Sequence, residues 1–187
     1  MIWDRGRCVD GKASESRLSV PGMLSFQCGF TLVELMITVA ILAILATIAI
    51  PSLNDALLGS KLGAYANRLV ASAHLARSEA IKRNAAVTLC VSTDGTACAA
   101  GGWQQGWIVR AADGTIVLSQ PALPTGFNAT EGASVASIVF QPTGVGATAA
   151  TLTFCRAMPS AGAQERVVSI SASGRPNVTK TVAGVCS

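Results

Sequence analysis

The chain has 187 residues and a formal net charge of +4, from 14 lysines and arginines against 10 aspartates and glutamates. This length is enough for one modest domain, and the charge is too weak by itself to indicate a charged partner. Half of the residues are hydrophobic but only 5% are aromatic. Any core is therefore built mainly of aliphatic side chains.

Residues 1–29 are polar and basic and show no apolar periodicity. They lack the apolar centre of an ordinary secretory signal. Met23 is an alternative start, and the sequence does not choose between it and Met1. A disordered tail is equally consistent with residues 1–22. In either case a short basic segment before a membrane helix is expected to stay in the cytoplasm.

An apolar run extends from Phe30 to Ile50, with Glu34 as its one charged residue, and Pro51 follows it. As a helix rising about 1.5 Å per residue it would be roughly 31 Å long, close to the thickness of a hydrocarbon core. We therefore expect residues 30–50 to cross a membrane once, with the rest of the chain as a head on the far side.

Beyond Pro51 the helix is expected to continue, with a kink or an unwound turn at the proline. Small and apolar residues recur at alternating spacings of four and three, which is typical of one face of a helix. These residues are Leu62, Ala66, Leu69, Ala73, Ala76 and Ala80. The pattern predicts an amphipathic segment over residues 51–84 that packs on the head.

From Ala85 the pattern changes to short β-type runs separated by turns such as Asp94-Gly95 and Asp113-Gly114. The predicted strands are Val87–Ser92, Trp107–Arg110, Thr115–Ser119, Ser137–Gln141, Thr151–Arg156 and Arg166–Ser171, with Val178–Val182 as a weaker seventh. Successive strands without intervening helices indicate antiparallel pairing. We predict an α+β fold in which a long N-terminal helix packs on an antiparallel β-sheet head over residues 85–187.

The stretch Gly29-Phe30-Thr31-Leu32-Val33-Glu34-Leu35, with its apolar run and Pro51, resembles the class III leader and N-terminal helix of type IV pilins and type II secretion pseudopilins. This resemblance implies that a prepilin peptidase cleaves between Gly29 and Phe30 and methylates Phe30. It also implies single-pass storage in the inner membrane, with the head in the periplasm, and assembly with other minor and major pilins or pseudopilins.

Glu34 becomes the fifth residue of the mature chain on this reading. An ionised carboxylate in a bilayer is costly, on the order of 3 kcal/mol at the centre and less near an end. The new α-amine of Phe30, or that of a neighbouring subunit, would offset much of this cost. We therefore predict that Glu34 directs assembly. The simpler alternative is that residues 30–50 serve only as a membrane anchor and that Glu34 lies near the lipid headgroups.

The head also resembles the GspH/FimT group of minor subunits. The resemblance lies in the order Cys90, Asp94-Gly95, Cys98, Trp103 and Gly106-Trp107-Ile108-Val109, in Arg77-Ser78-Glu79-Ala80 on the helix and in Gly174-Arg175. It implies a minor, tip-located subunit of a type II secretion pseudopilus or a type IV pilus, serving protein secretion or pilus biogenesis.

Four of the six cysteines lie in the head, and an even set beyond a membrane helix favours an oxidising compartment and two disulfides. Cys90 and Cys98 bracket a turn, so we pair them, which leaves Cys155 with Cys186. The other two connectivities remain open. None of the spacings is typical of a zinc site.

The segment between the last two cysteines contains Arg166, Arg175 and Lys180. Basic side chains in a loop held by a disulfide are able to bind phosphates. In the FimT branch a Gly-Arg-x-Arg motif is associated with DNA binding in natural transformation, but here Asn177 stands at the second arginine position. DNA uptake is therefore the alternative function. The non-functional interpretation is that this segment is a solvated turn with scattered charges.

The sequence contains no arrangement typical of an enzyme. His74 is the one histidine, and no Ser/His/Asp set, phosphate-binding glycine loop or carboxylate pair is legible. A histidine on a predicted helix is far more often a surface residue than a general base. We therefore expect no catalysis, no cofactor and no metal.

Overall fold

The structure is a computed structural model that describes residues 30–145, 147–158, 164–181 and 186. The leader, including Met23 and Gly29, lies outside the described residues. The chain divides between Ser52 and Leu53 into two compact units. The second unit is called the head.

One helix, α1, extends over Leu32–Arg83 and is helical at position 51 as well. In the head, every residue of the predicted stripe from Leu62 to Ala80 is fully buried, and Leu58 and Tyr65 extend the same face. The helix ends where Asn84 adopts a positive φ of 48°. The amide of Asn84 donates to the carbonyl of Ile81, and that of Ala85 to Ala80, which is the hydrogen-bond pattern of a Schellman cap.

In the part of the chain that the structure describes, eight strands follow α1. They are β1 (Val87–Val91), β2 (Trp107–Ala111), β3 (Ile116–Gln120), β4 (Phe127–Glu131), β5 (Ser137–Phe140), β6 (Ala150–Arg156), β7 (Glu165–Ile170) and β8 (Pro176–Thr181). They form two four-stranded antiparallel sheets, in the orders β3-β2-β1-β5 and β4-β6-β7-β8. The predicted α+β class is confirmed, but β4 had not been predicted.

The buried face of α1 packs with the inner faces of both sheets in one hydrophobic core. Trp103 and Trp107 are its two tryptophans, each only 1% exposed. The indole N–H of Trp107 donates to the hydroxyl of Ser72 on α1 at 2.9 Å, and that of Trp103 to the carbonyl of Val135 at 2.8 Å. Both indole donors thus have an acceptor, as buried polar groups require.

Two disulfides are present in the head, between Cys90 and Cys98 and between Cys155 and Cys186. The first closes the loop after β1. In that loop Asp94 accepts hydrogen bonds from the backbone and hydroxyl of Thr96 and from the backbone of Ala97. These bonds, the Thr96 hydroxyl first, hold the pKa of Asp94 well below its ordinary value.

Candidate assembly helix and C-terminal turn

In the N-terminal unit, residues 30–50 are almost entirely apolar. The large apolar side chains that the structure describes there, from Phe30 at 79% to Ile50 at 59%, are more than half exposed. A helix that is apolar all round must be covered by lipid or by other protein, since a soluble surface rarely exposes so large an apolar area. In the described part of the chain, no helix combines the length and hydropathy expected of a membrane-crossing segment.

Three threonines of this unit use their hydroxyl groups within the helix itself. The Thr31 oxygen accepts the backbone N–H of Glu34 at 3.2 Å, as an N-cap does. The hydroxyl of Thr38 donates to the carbonyl of Leu35 at 2.8 Å, and that of Thr47 to Ile44 at 2.7 Å. The hydroxyl donors of Thr38 and Thr47 are therefore satisfied within the helix in an apolar environment.

Glu34 differs from these threonines because, among the described residues, its carboxylate has no hydrogen-bond or ion-pair partner. It lies in the first turn of α1, where the helix dipole favours a negative charge. Thr31 and Glu34 have the spacing of a capping box, a signal that the sequence contains and that our reading of it missed. Thr31 fixes the start of the helix and so fixes the position of the acid.

Arg175 lies exposed beside the tight turn that joins β7 and β8. Gly174 has a φ of 73°, and a Cβ there would lie 3.5 Å from the Phe140 ring, so the turn is held close to the first sheet. The hydroxyl of Ser171 accepts the Arg175 amide and donates to the Arg175 carbonyl. This backbone geometry leaves the Arg175 guanidinium free to face solvent.

The structure places Arg175 apart from the other two predicted DNA contacts, Arg166 and Lys180. Lys180 lies five residues beyond Arg175, a distance of about 16 Å along an extended strand. Lys180 instead stands opposite Arg166 in the β7–β8 ladder. The guanidinium of Arg166 donates to the carbonyls of Glu165 and Gly59, at 3.0 and 3.3 Å, and so ties β7 to α1.

Two further expectations concern chemistry in the head. His74 is exposed on α1, away from the core. Among the described residues no group of histidines, cysteines, aspartates and glutamates is arranged to hold a metal ion. The cysteines that could have served as ligands are paired in the two disulfides.

Comparison with known families agrees with this architecture. The family model described as Type II transport protein GspH matches residues 65–174, more than half of the chain. The chain belongs to the GspH family. The prokaryotic N-terminal methylation motif also matches residues 24–50, which include the Gly29-Phe30 pair and Glu34. The chain is thus a minor pilin or pseudopilin, a minor subunit of a pseudopilus or type IV pilus.

Solved structures of minor pilins are similar to this GspH-family chain. The crystal structure of the Pseudomonas aeruginosa type IV minor pilin FimU matches with a TM-score of 0.50 and 23% identity, over 64% of this chain and 89% of FimU. The minor pseudopilin EpsH from the Vibrio cholerae Type 2 Secretion System matches with a TM-score of 0.46 and 14% identity, over 64% and 96% of the two chains. The likeness to FimU is one of fold. No curated protein matches the chain in sequence.

Proposed function

We propose that the chain is a non-enzymatic tip subunit of its fibre, held in the inner membrane by residues 30–50 until assembly, with the head in the periplasm. A prepilin peptidase cleaves between Gly29 and Phe30 and methylates Phe30. Other minor and major pilins or pseudopilins then cover the apolar helix. The observation that supports this proposal most strongly is Glu34, which has no partner among the described residues and is the one charge in the apolar, largely exposed run of residues 30–50.

Cleavage gives Glu34 a partner. It creates a cationic α-amine on Phe30, one helical turn before the carboxylate. In a bundle of such helices the amine of one subunit can instead meet the carboxylate of the next. The attraction between the two charges is large in an apolar environment, where water does not screen them. A subunit that enters the bundle out of register would leave both charges unpaired, so the pair selects the correct register.

Replacement of Glu34 tests this proposal. Glu34→Ala is expected to lower the amount of chain that co-purifies with the other fibre subunits at least tenfold, while the chain still fractionates with the membrane. Asp55→Ala is the matched control, because Asp55 is an exposed acid on the same helix. Normal co-purification of Glu34→Ala, or an equal loss in both variants, would contradict the assigned role.

DNA binding during uptake is the second candidate function, and the exposed guanidinium of Arg175 favours it. Against it stand the distance to Lys180 and the engagement of Arg166 with the Gly59 carbonyl. No aromatic side chain lies near Arg175 in sequence to stack on a base, so any binding would be to phosphates and sensitive to salt.

A mobility shift separates the two functions. The head, residues 53–187, is a compact unit with its own core and can be used for it. The structural role predicts no shift of duplex or single-stranded DNA even at low salt. A salt-sensitive shift that disappears in Arg175→Ala and Lys180→Ala would instead support uptake.

A further inference from the structure

A cavity of about 500 Å³ lies in the head, where the beginning of its part of α1 meets the start of β4 and the end of β6. Its lining combines two kinds of side chain. Lys61 and Arg156 are basic, whereas Leu57, Phe127 and Met158 are apolar. No carboxylate is among the described residues that line the cavity. Such a lining fits a ligand that carries a negative charge on an apolar body.

Several apolar side chains at this cavity are exposed, unlike most of those in the head. In the described part of the head, five large apolar side chains are more than half exposed, and Leu57 and Met158 are two of them. Leu53 is a third, and it lies one helical turn before Leu57. Exposed apolar side chains that gather in one place mark a surface that contacts lipid or another protein.

The basic side chains at the cavity are arranged to receive an anion. Lys61 is exposed and, among the described residues, forms no ion pair. None of the residues one turn before or after it on α1 is acidic. Arg156, half-buried at the end of β6, brings a second positive charge to the same cavity. Two cations in a lining whose described residues include no acid attract an anion such as a phosphate group.

The cavity is close in the chain to the apolar run of residues 30–50. Asn54 also lines the cavity and follows Ile50 by four residues. Even when fully extended, four residues span at most about 14 Å. The polar headgroup layer on each side of a bilayer is roughly 5–8 Å thick. A cavity that begins this close to a membrane helix therefore lies at or next to the lipid headgroups.

We propose that this cavity binds an anionic phospholipid while the subunit is stored in the membrane. Lys61 and Arg156 bind the lipid phosphate, and Leu57 and Met158 contact the beginning of the acyl chains. This inference rests on the proposed function, because only a stored subunit holds its head at a membrane surface. The occupant is a lipid and not a free phosphate, because a free anion would leave the apolar part of the lining in contact with water.

Sedimentation of the head, residues 53–187, with lipid vesicles tests the proposal. The start of α1 is held in this fragment, because the side chains of Gln164 and Arg166 donate to the carbonyls of Asp55 and Gly59. The head is expected to bind phosphatidylcholine vesicles that contain phosphatidylglycerol and not vesicles of phosphatidylcholine alone. Inorganic phosphate, added at the concentration of the lipid phosphate, should not displace it.

Three outcomes overturn the lipid site: no binding to either kind of vesicle, equal binding to both, and displacement by inorganic phosphate. Each of them leaves the proposed function to its own test at Glu34. A full mature chain that does not fractionate with the membrane contradicts the proposed function itself.

A pair of charge variants separates the cavity from a general attraction, since the head has more basic than acidic residues. Lys61→Gln is expected to weaken binding to the phosphatidylglycerol vesicles about fivefold, as the loss of a basic side chain near an anionic surface does. Arg175→Gln is the control, because it removes an exposed charge at the opposite end of the second sheet. An equal effect of the two variants on binding overturns the site.

A pair of apolar variants tests the acyl-chain contact. Leu57 and Ile81 both lie on α1, and each is 52% exposed. Leu57→Ser is expected to weaken vesicle binding about tenfold, because a leucine that enters lipid leaves water. Ile81→Ser should leave binding unchanged, and thermal unfolding reports any loss of stability in either variant. Equal binding of the two variants overturns the proposal.

Discussion

The head and residues 30–50 differ in the burial of their apolar side chains and in the pairing of their polar groups. In the head the apolar face of α1 is buried, and within the described residues no buried side-chain nitrogen or oxygen lacks a hydrogen-bond partner. In residues 30–50 the large apolar side chains that the structure describes are exposed, and among the described residues Glu34 has no ion-pair partner. The head is therefore satisfied as a folded unit by its own residues, whereas residues 30–50 expose an apolar surface that the described residues do not cover.

Matched leucines on the two parts of α1 should show the largest difference. Leu69 is fully buried in the head, whereas Leu42 is 66% exposed. Leu69→Ala is expected to lower the free energy of unfolding of the head by about 4 kcal/mol, since it removes buried methyl groups and leaves a cavity. Leu42→Ala should leave that value unchanged. Denaturant unfolding, followed by tryptophan fluorescence, measures both.

A loss of head stability in Leu42→Ala would contradict the division between the two parts of the chain. If Leu42→Ala entered the fibre less well but unfolded like the wild type, the division between the two parts of the chain would be supported.

A smaller loss of stability is expected when the buried Ser72 is replaced. Ser72→Ala leaves the buried indole N–H of Trp107 without its acceptor, which should cost about 2 kcal/mol. Ser78→Ala is the control, because Ser78 lies on the exposed face of the same helix and bonds only to the carbonyl of Leu75. Thermal unfolding of the two variants should differ clearly. Equal melting temperatures would mean that the indole contact adds nothing to the core.

The smallest predicted effect is on the stability of the head at low pH. The pKa of Asp94 is lowered in the folded head, chiefly by the Thr96 hydroxyl. Its contribution to stability is therefore fully present above the unfolded pKa, near 3.8, and is lost as pH falls towards the lower folded pKa. The difference in unfolding free energy between the wild type and Asp94→Ala should be constant from pH 7 to 5 and shrink below pH 4. A difference as large at pH 2 as at pH 7 would contradict this cause.

The sequence was most informative where local pattern decides structure. The stripe from Leu62 to Ala80 has helical spacing, and strands such as Val87–Val91 are rich in β-branched residues, so both follow from short-range rules. Strand β4 was missed because Asn128 and Glu131 disfavour strands, and its pairing with β6 joins residues more than twenty positions apart.

The residues of the candidate site likewise differ in how far they could be predicted from the sequence. Gly29, Phe30 and Glu34 stand in a contiguous motif that can be recognised without a structure. The separation of Arg175 from Arg166 and Lys180 could not be predicted from the sequence, because it depends on where each residue lies in the β7–β8 hairpin. It was equally unpredictable that Arg166 contacts Gly59, more than 100 residues earlier.

The central claim is that Glu34 pairs with the N-terminal amine of a neighbouring subunit. Zero-length carbodiimide coupling of assembled fibres joins a carboxylate to an amine only when the two are in contact. Mass spectrometry is expected to find a peptide in which Glu34 is linked to the N-terminal residue of another subunit, and this peptide should be absent in Glu34→Gln. Fibres that contain the chain but yield no such link, or link Glu34 only to its own N-terminus, would contradict the account.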